Sequence, residues 1–83
     1  MTGTGRCQCG AVRYECASEP FAVIACHCTE CRKQSASAFG LSLPVARDGF
    51  RLIKGIPRFW SRLSGSGIEI RCAFCPDCGS RLW

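Results

Sequence analysis

Nowhere does this sequence contain an apolar run long enough to cross a bilayer, and its opening stretch, "MTGTGRCQCG", lacks the hydrophobic segment a secretory signal needs. Both absences point away from membranes and export and towards a cytoplasmic protein. The chain also lacks repeats, low-complexity tracts and linkers, so its 83 residues are expected to form one domain. No basic run is longer than Arg32-Lys33. Only one histidine is present, His27, and it lies between two cysteines in "CHCTEC". Helix is expected to be scarce; the best candidate for a helical turn is the polar segment "TECRKQSAS", which has no apolar stripe of helical period.

Thiols, by contrast, are abundant. Nine cysteines in 83 residues supply the staple that a domain this small needs, because its core alone removes little apolar surface from water. In a reducing compartment, cysteines at short fixed spacings bind metal more often than each other, and an odd count fits a complete disulfide framework poorly. The formal charge of +5 would ordinarily suggest nucleic acid as a partner. Four thiolates around a divalent ion carry a net −2 and three carry −1, so a chain holding both sites keeps only about +2. Nucleic acid is therefore not expected.

Short apolar or alternating runs broken by Gly, Pro, Ser and Asp indicate an all-β domain. Strands are expected at 11–16, 21–26, 39–45, 50–53, 57–63, 68–74 and 80–82. In "IEIRCAF", Ile68, Ile70, Cys72 and Phe74 share one face, with Glu69 and Arg71 on the other.

The cysteines divide into two sets. "RCQCG" offers Cys7 and Cys9, and "FCPDCG" offers Cys75 and Cys78, each pair followed by a glycine that lets the chain turn behind its ligands. Two ligands from each end make a closed four-thiolate zinc site that clips the first strand to the last. Cys26, Cys28 and Cys31 form a second set. If the segment is extended, His27 points away from Cys26 and Cys28, so three thiolates hold an ion with its fourth position open, the arrangement of a catalytic rather than a structural zinc. Cys16 and Cys72 read as packed thiols on apolar strand faces, although either could close that position.

The blocks "GRCQCGAVRY", "ACHCTECRKQSASAF" and "FCPDCGSRLW" resemble the signatures of the glutathione-dependent formaldehyde-activating enzymes, the family that includes centromere protein V. The resemblance implies an Mss4-like fold of antiparallel sheets over 1–83, a structural zinc on Cys7, Cys9, Cys75 and Cys78, and a catalytic zinc on Cys26, Cys28 and Cys31. It further implies a carbon–sulfur lyase resembling S-(hydroxymethyl)glutathione synthase, with glutathione as co-substrate and formaldehyde as the small aldehyde. Arg32 and Lys33 follow the last ligand and are candidate contacts for a glutathione carboxylate. Phe59 and Trp60 are adjacent on a strand, so one ring faces in and one out. The sequence departs from the family in two respects: Ala36 stands where glycine is usual, and further C-terminal strands of the family are expected to be absent. A homodimer could supply the missing wall. Alternatively, the chain is a non-catalytic zinc module that binds protein or nucleic acid.

Overall fold

Tyr14 lies with its ring over Gly5, its register partner in the neighbouring strand, and this contact begins the largest sheet. A Cβ on Gly5 would fall inside that ring, so only glycine allows the aromatic face to cover the strand. The structure, a computed structural model, describes residues 3–83. Its elements are β1 (Gly3–Arg6), β2 (Arg13–Cys16), β3 (Ile24–Cys26), helix α1 (Thr29–Ser35), β4 (Gly40–Ser42), a 3-10 turn (Arg47–Gly49), β5 (Phe50–Lys54), β6 (Arg58–Leu63) and β7 (Glu69–Phe74). All strand pairs are antiparallel, in sheets of order β1-β2-β5, β3-β4 and β6-β7. The fold is thus mostly antiparallel strand with little helix, as the sequence indicated.

The strand boundaries differ from the expectations for identifiable reasons. β1, "GTGR", was not expected, because glycine and threonine alternate there without an apolar face; pairing with β2 creates it. The run 11–16 shortens to Arg13–Cys16 because Ala11 and Val12 belong to the turn that folds back on Cys7. The runs 21–26 and 39–45 shorten to three residues each. Their outer parts are joined instead by a bond from the Phe21 N–H to the Pro44 carbonyl (2.8 Å), beside two prolines that cannot extend a ladder. The expected strand 80–82 reduces to a single bridge between Phe74 and Arg81. That last segment still lies along β7, since Leu82 N–H donates to Ala73 O (2.9 Å) and Ala73 N–H to Trp83 O (2.6 Å).

In β7 the alternation holds for Ile70, Cys72 and Phe74, whereas Ile68 precedes the strand and is exposed. Ala73, on the opposite face, is also buried because the returning chain covers it. The core is small. Cys7, Val12 and Cys75 form its buried centre, with Ala11 and Leu82 against them. Trp83 joins the sheets elsewhere: its ring centroid lies 4.8 Å from Phe50, 5.7 Å from Tyr14 and 6.2 Å from Phe59. Meanwhile Phe21, Val23, Leu41 and Leu43 stay largely exposed around the β3-β4 pair. Two cysteines thus occupy the place where a larger domain would put aliphatic side chains. Among the described residues no helix is long and apolar enough to cross a membrane.

Candidate metal centre

Cys7 ends the first strand region and Cys75 follows β7, and both are buried where the two chain ends meet. The first loop is closed by Gly10 N–H donating to Cys7 O and by Cys7 N–H donating to Val12 O, both at 3.1 Å. At the other end, Gly79 N–H donates to Cys75 O (2.8 Å). Gly10 and Gly79 have φ of 80° and 78°, the left-handed turn expected behind each cysteine pair. Amides aim at the sulfurs: Val12 N–H donates to Cys7 Sγ (3.3 Å) and Asp77 N–H to Cys75 Sγ (3.4 Å). Gln8 N–H reaches Ser80 Oγ (2.9 Å), tying the two loops directly.

The four sulfurs of Cys7, Cys9, Cys75 and Cys78 lie within 4.8 Å of one another. Cys7 and Cys9 are 3.6 Å apart and Cys9 and Cys75 are 3.8 Å apart. An ideal tetrahedron with Zn–S bonds of 2.3 Å has edges of about 3.8 Å. A disulfide requires about 2.05 Å, so these are separate thiols held at metal-ligand spacing. The cluster holds too much sulfur to ionise freely. The Ser80 hydroxyl, then the Cys9 and Ser80 amides, bring Cys78 down to about 5. For Cys9 the Ala11 amide pulls downward, but the Cys7 thiol, burial and the remaining thiols outweigh it and push the group up to about 12. Full deprotonation of all four therefore calls for a cation between them.

The second cluster is built at the junction of β3 and α1. Cys26 closes β3, and Cys28 is the N-cap of the helix, its Sγ accepting from the Cys31 N–H (3.3 Å). That cap turns the chain and brings Cys31, in the first helical turn, back over the other two thiols. The three sulfurs lie within 4.8 Å of one another, and no other His, Cys, Asp or Glu joins them among the described residues. The Cys31 amide, then the Cys31 thiol, lower Cys28 to about 7. The thiols of Cys26 and Cys28, with burial, raise Cys31 to about 11 against the opposing pull of Arg62.

The remaining candidates lie elsewhere. His27 is exposed and faces the Phe39 ring at 5.1 Å, outside the thiol cluster. Cys72 is buried on β7 with its thiol directed at Ile70 O (3.8 Å), and Cys16 sits on β2 opposite Gly3 and Phe50. Lys33 pairs with Glu30 (3.7 Å), and Arg32 donates to Thr29 Oγ1 (3.3 Å), both along the exposed helix. Phe59 and Trp60 are each about half exposed; Phe59 carries the Arg71 guanidinium 4.0 Å above its ring.

One residue that the sequence did not flag reaches the trio. Arg62, on β6, donates from Nη2 to Cys31 Sγ (3.7 Å) and from Nε to Gln34 Oε1 (2.9 Å). It thereby ties the β6-β7 pair to α1 and places a cation beside three thiols. Nothing local in "SRLSG" signals this, because the contact spans 31 residues of chain.

Residues 2–83 match the family model described as "Glutathione-dependent formaldehyde-activating enzyme". A Halomonas elongata protein, provisionally named a glutathione-dependent formaldehyde-activating enzyme, is 30% identical over 84 residues, covering 95% of this chain and 53% of its own. The chain thus spans about half the length of that curated relative. No solved structure matches it.

Proposed function

The chain belongs to the glutathione-dependent formaldehyde-activating enzyme family, and from that membership we propose that it adds a thiol to a small aldehyde, with glutathione and formaldehyde as the pair. The observation that carries this reading is the trio of Cys26, Cys28 and Cys31, whose sulfurs converge with no fourth protein donor among the described residues. Zinc suits the all-sulfur donor sets and their spacing, giving two ions per chain. An ion held by three thiolates supplies Lewis acidity and keeps a bound thiol deprotonated near neutral pH.

In the addition, the sulfur of glutathione bonds to the carbonyl carbon, the C=O π pair moves to oxygen, and the thiol's proton ends on the new hydroxyl of S-(hydroxymethyl)glutathione. The reverse is a carbon–sulfur lyase reaction. Cys26, Cys28 and Cys31 would hold the ion, which would supply the Lewis acidity for this step. Arg62 offsets their negative charge and, through Gln34, fixes the helix that carries Cys31. Cys7, Cys9, Cys75 and Cys78 do no chemistry and keep the fold closed. Free thiols in both clusters suit the reducing cytoplasm.

The test is NMR exchange between formaldehyde, glutathione and their adduct, run with two zinc ions per chain. Faster exchange than the protein-free mixture, lost in Cys28→Ser, is the expected result. A rate equal to that of the protein-free control with both sites filled rejects the enzyme reading.

A further inference from the structure

A cleft of about 370 Å³ is bounded by Gln34 on α1, Trp60 on β6, Ala73 and Phe74 on β7, and Gly79 and Arg81 beyond it. Its volume falls at the lower end of the range for small-molecule sites. Gly79 adjoins Cys78, and Gln34 is one guanidinium away from the Cys31 sulfur through Arg62, so the cleft touches the surroundings of both centres.

Arg81 is the cation in this cleft. Its side chain makes no hydrogen bond or ion pair among the described residues, unlike Lys33 and Arg51, which have carboxylate partners. No carboxylate lines the cleft. Gly40 separates Arg81 from the trio: a Cβ there would sit 3.4 Å from Cys31 Cβ and 3.6 Å from Arg81 Nη1. The guanidinium and the third ligand are therefore near neighbours across a bare glycine. The half-exposed Trp60 indole supplies an apolar wall.

We propose that this cleft takes the carboxylate-bearing end of the thiol substrate, with Arg81 as its counter-charge. The assignment rests on the thiol-addition reading above. In glutathione the glycine carboxylate lies about two residues of chain from the sulfur, a reach of roughly 7 Å when extended. A sulfur at the trio thus puts that carboxylate within range of Arg81, where a guanidinium can bind it through two parallel N–H donors. A thiol lacking the carboxylate gains nothing there, so Arg81 confers specificity for anionic thiols.

S-methylglutathione keeps both carboxylates and has no reactive thiol, so it separates binding from turnover. Titrated into the zinc-loaded protein, it is expected to shift the Trp60 indole and Arg81 side-chain resonances, and Arg81→Gln to weaken its binding by about tenfold or more. Arg81→Lys restores part of the affinity. In kinetics, Arg81→Gln lowers the ratio of kcat/KM for glutathione to that for 2-mercaptoethanol by a similar factor. Undiminished binding in Arg81→Gln overturns the assignment, as do shifts centred on Arg32 and Lys33 instead of the cleft. Zinc content is expected to match that of the parent; its loss in Arg81→Gln makes the residue a counter-charge of the cysteines and also overturns it. Cleft binding without turnover supports the assignment and removes the catalytic reading, while turnover without cleft binding does the opposite.

Discussion

Ala36 has φ 53° and ψ 38°, making it the only non-glycine residue with positive φ among those described. It closes α1 in a Schellman arrangement, with Ala36 N–H donating to Lys33 O and Ser37 N–H to Arg32 O, both at 3.3 Å. That left-handed position suits glycine, and a Cβ there costs about 1 kcal/mol. Ala36→Gly is therefore expected to raise stability by about 1 kcal/mol, read as a shift in the midpoint of denaturant unfolding at unchanged slope. The departure from the family's usual glycine was legible in the sequence; the backbone conformation that gives it meaning was not. Cysteines carry different weights for equally local reasons. Cys75→Ser is expected to lower metal binding at the end cluster and unfold the chain, because Cys75 belongs both to the candidate metal cluster and to the core. Cys28→Ser should leave most of the far-UV signal while lowering second-site zinc, since that thiol is exposed and caps one short helix. Circular dichroism with metal analysis compares the two.

At the scale of elements, the convergence of the three thiols in "CHCTEC" was readable because all of them lie within one strand end, one cap and one helical turn. Strands with apolar alternation, such as β7, were equally plain. β1 was not, because its sequence has no face of its own and depends on the Tyr14 ring for cover. This dependence gives a prediction. Gly5→Ala drives a methyl into that ring and is expected to destabilise by about 1–3 kcal/mol, an overpacking effect. Tyr14 also meets Phe50 (5.4 Å) and Trp83 (5.7 Å), so the displaced ring should change the near-ultraviolet signal of Trp83 as well. Arg62 escaped sequence reading for the opposite reason: its contacts with Gln34 and Cys31 join elements far apart in the chain, and nothing in its own neighbourhood marks it. Gln34 and Arg81 lie inside recognisable cysteine blocks, but the contacts that single them out from their neighbours there are equally long-range.

Across the whole molecule, the candidate metal cluster and the core are hard to separate. Structural zinc contributes on the order of 10–16 kcal/mol in small zinc peptides, against a net domain stability of about 5–15 kcal/mol. Among the described residues few are buried, and two of them, Cys7 and Cys75, belong to the four-cysteine cluster that could hold a metal. Removing both ions with a strong chelator is thus expected to abolish the cooperative thermal transition, and returning two equivalents of zinc to restore it, as followed by calorimetry. Partial chelation that leaves one zinc should retain the transition but lose the exchange activity, because the open trio is expected to yield its ion first. The pairing of the two ends was suggested by the sequence through simple counting of ligands.

That pairing also imposes a schedule on synthesis. Cys9 and Cys75 are 66 positions apart, yet their sulfurs meet. At the usual pace of translation, about 5–20 residues per second, the early thiols are made roughly 3–13 seconds before their partners. Over that interval they are open to oxidation or to stray ions, and β1 has no anchor at its Cys7 end. The nascent chain reaches its final form only after the late cysteines emerge, so its yield in a cell should depend on zinc supply and thiol redox state at that moment.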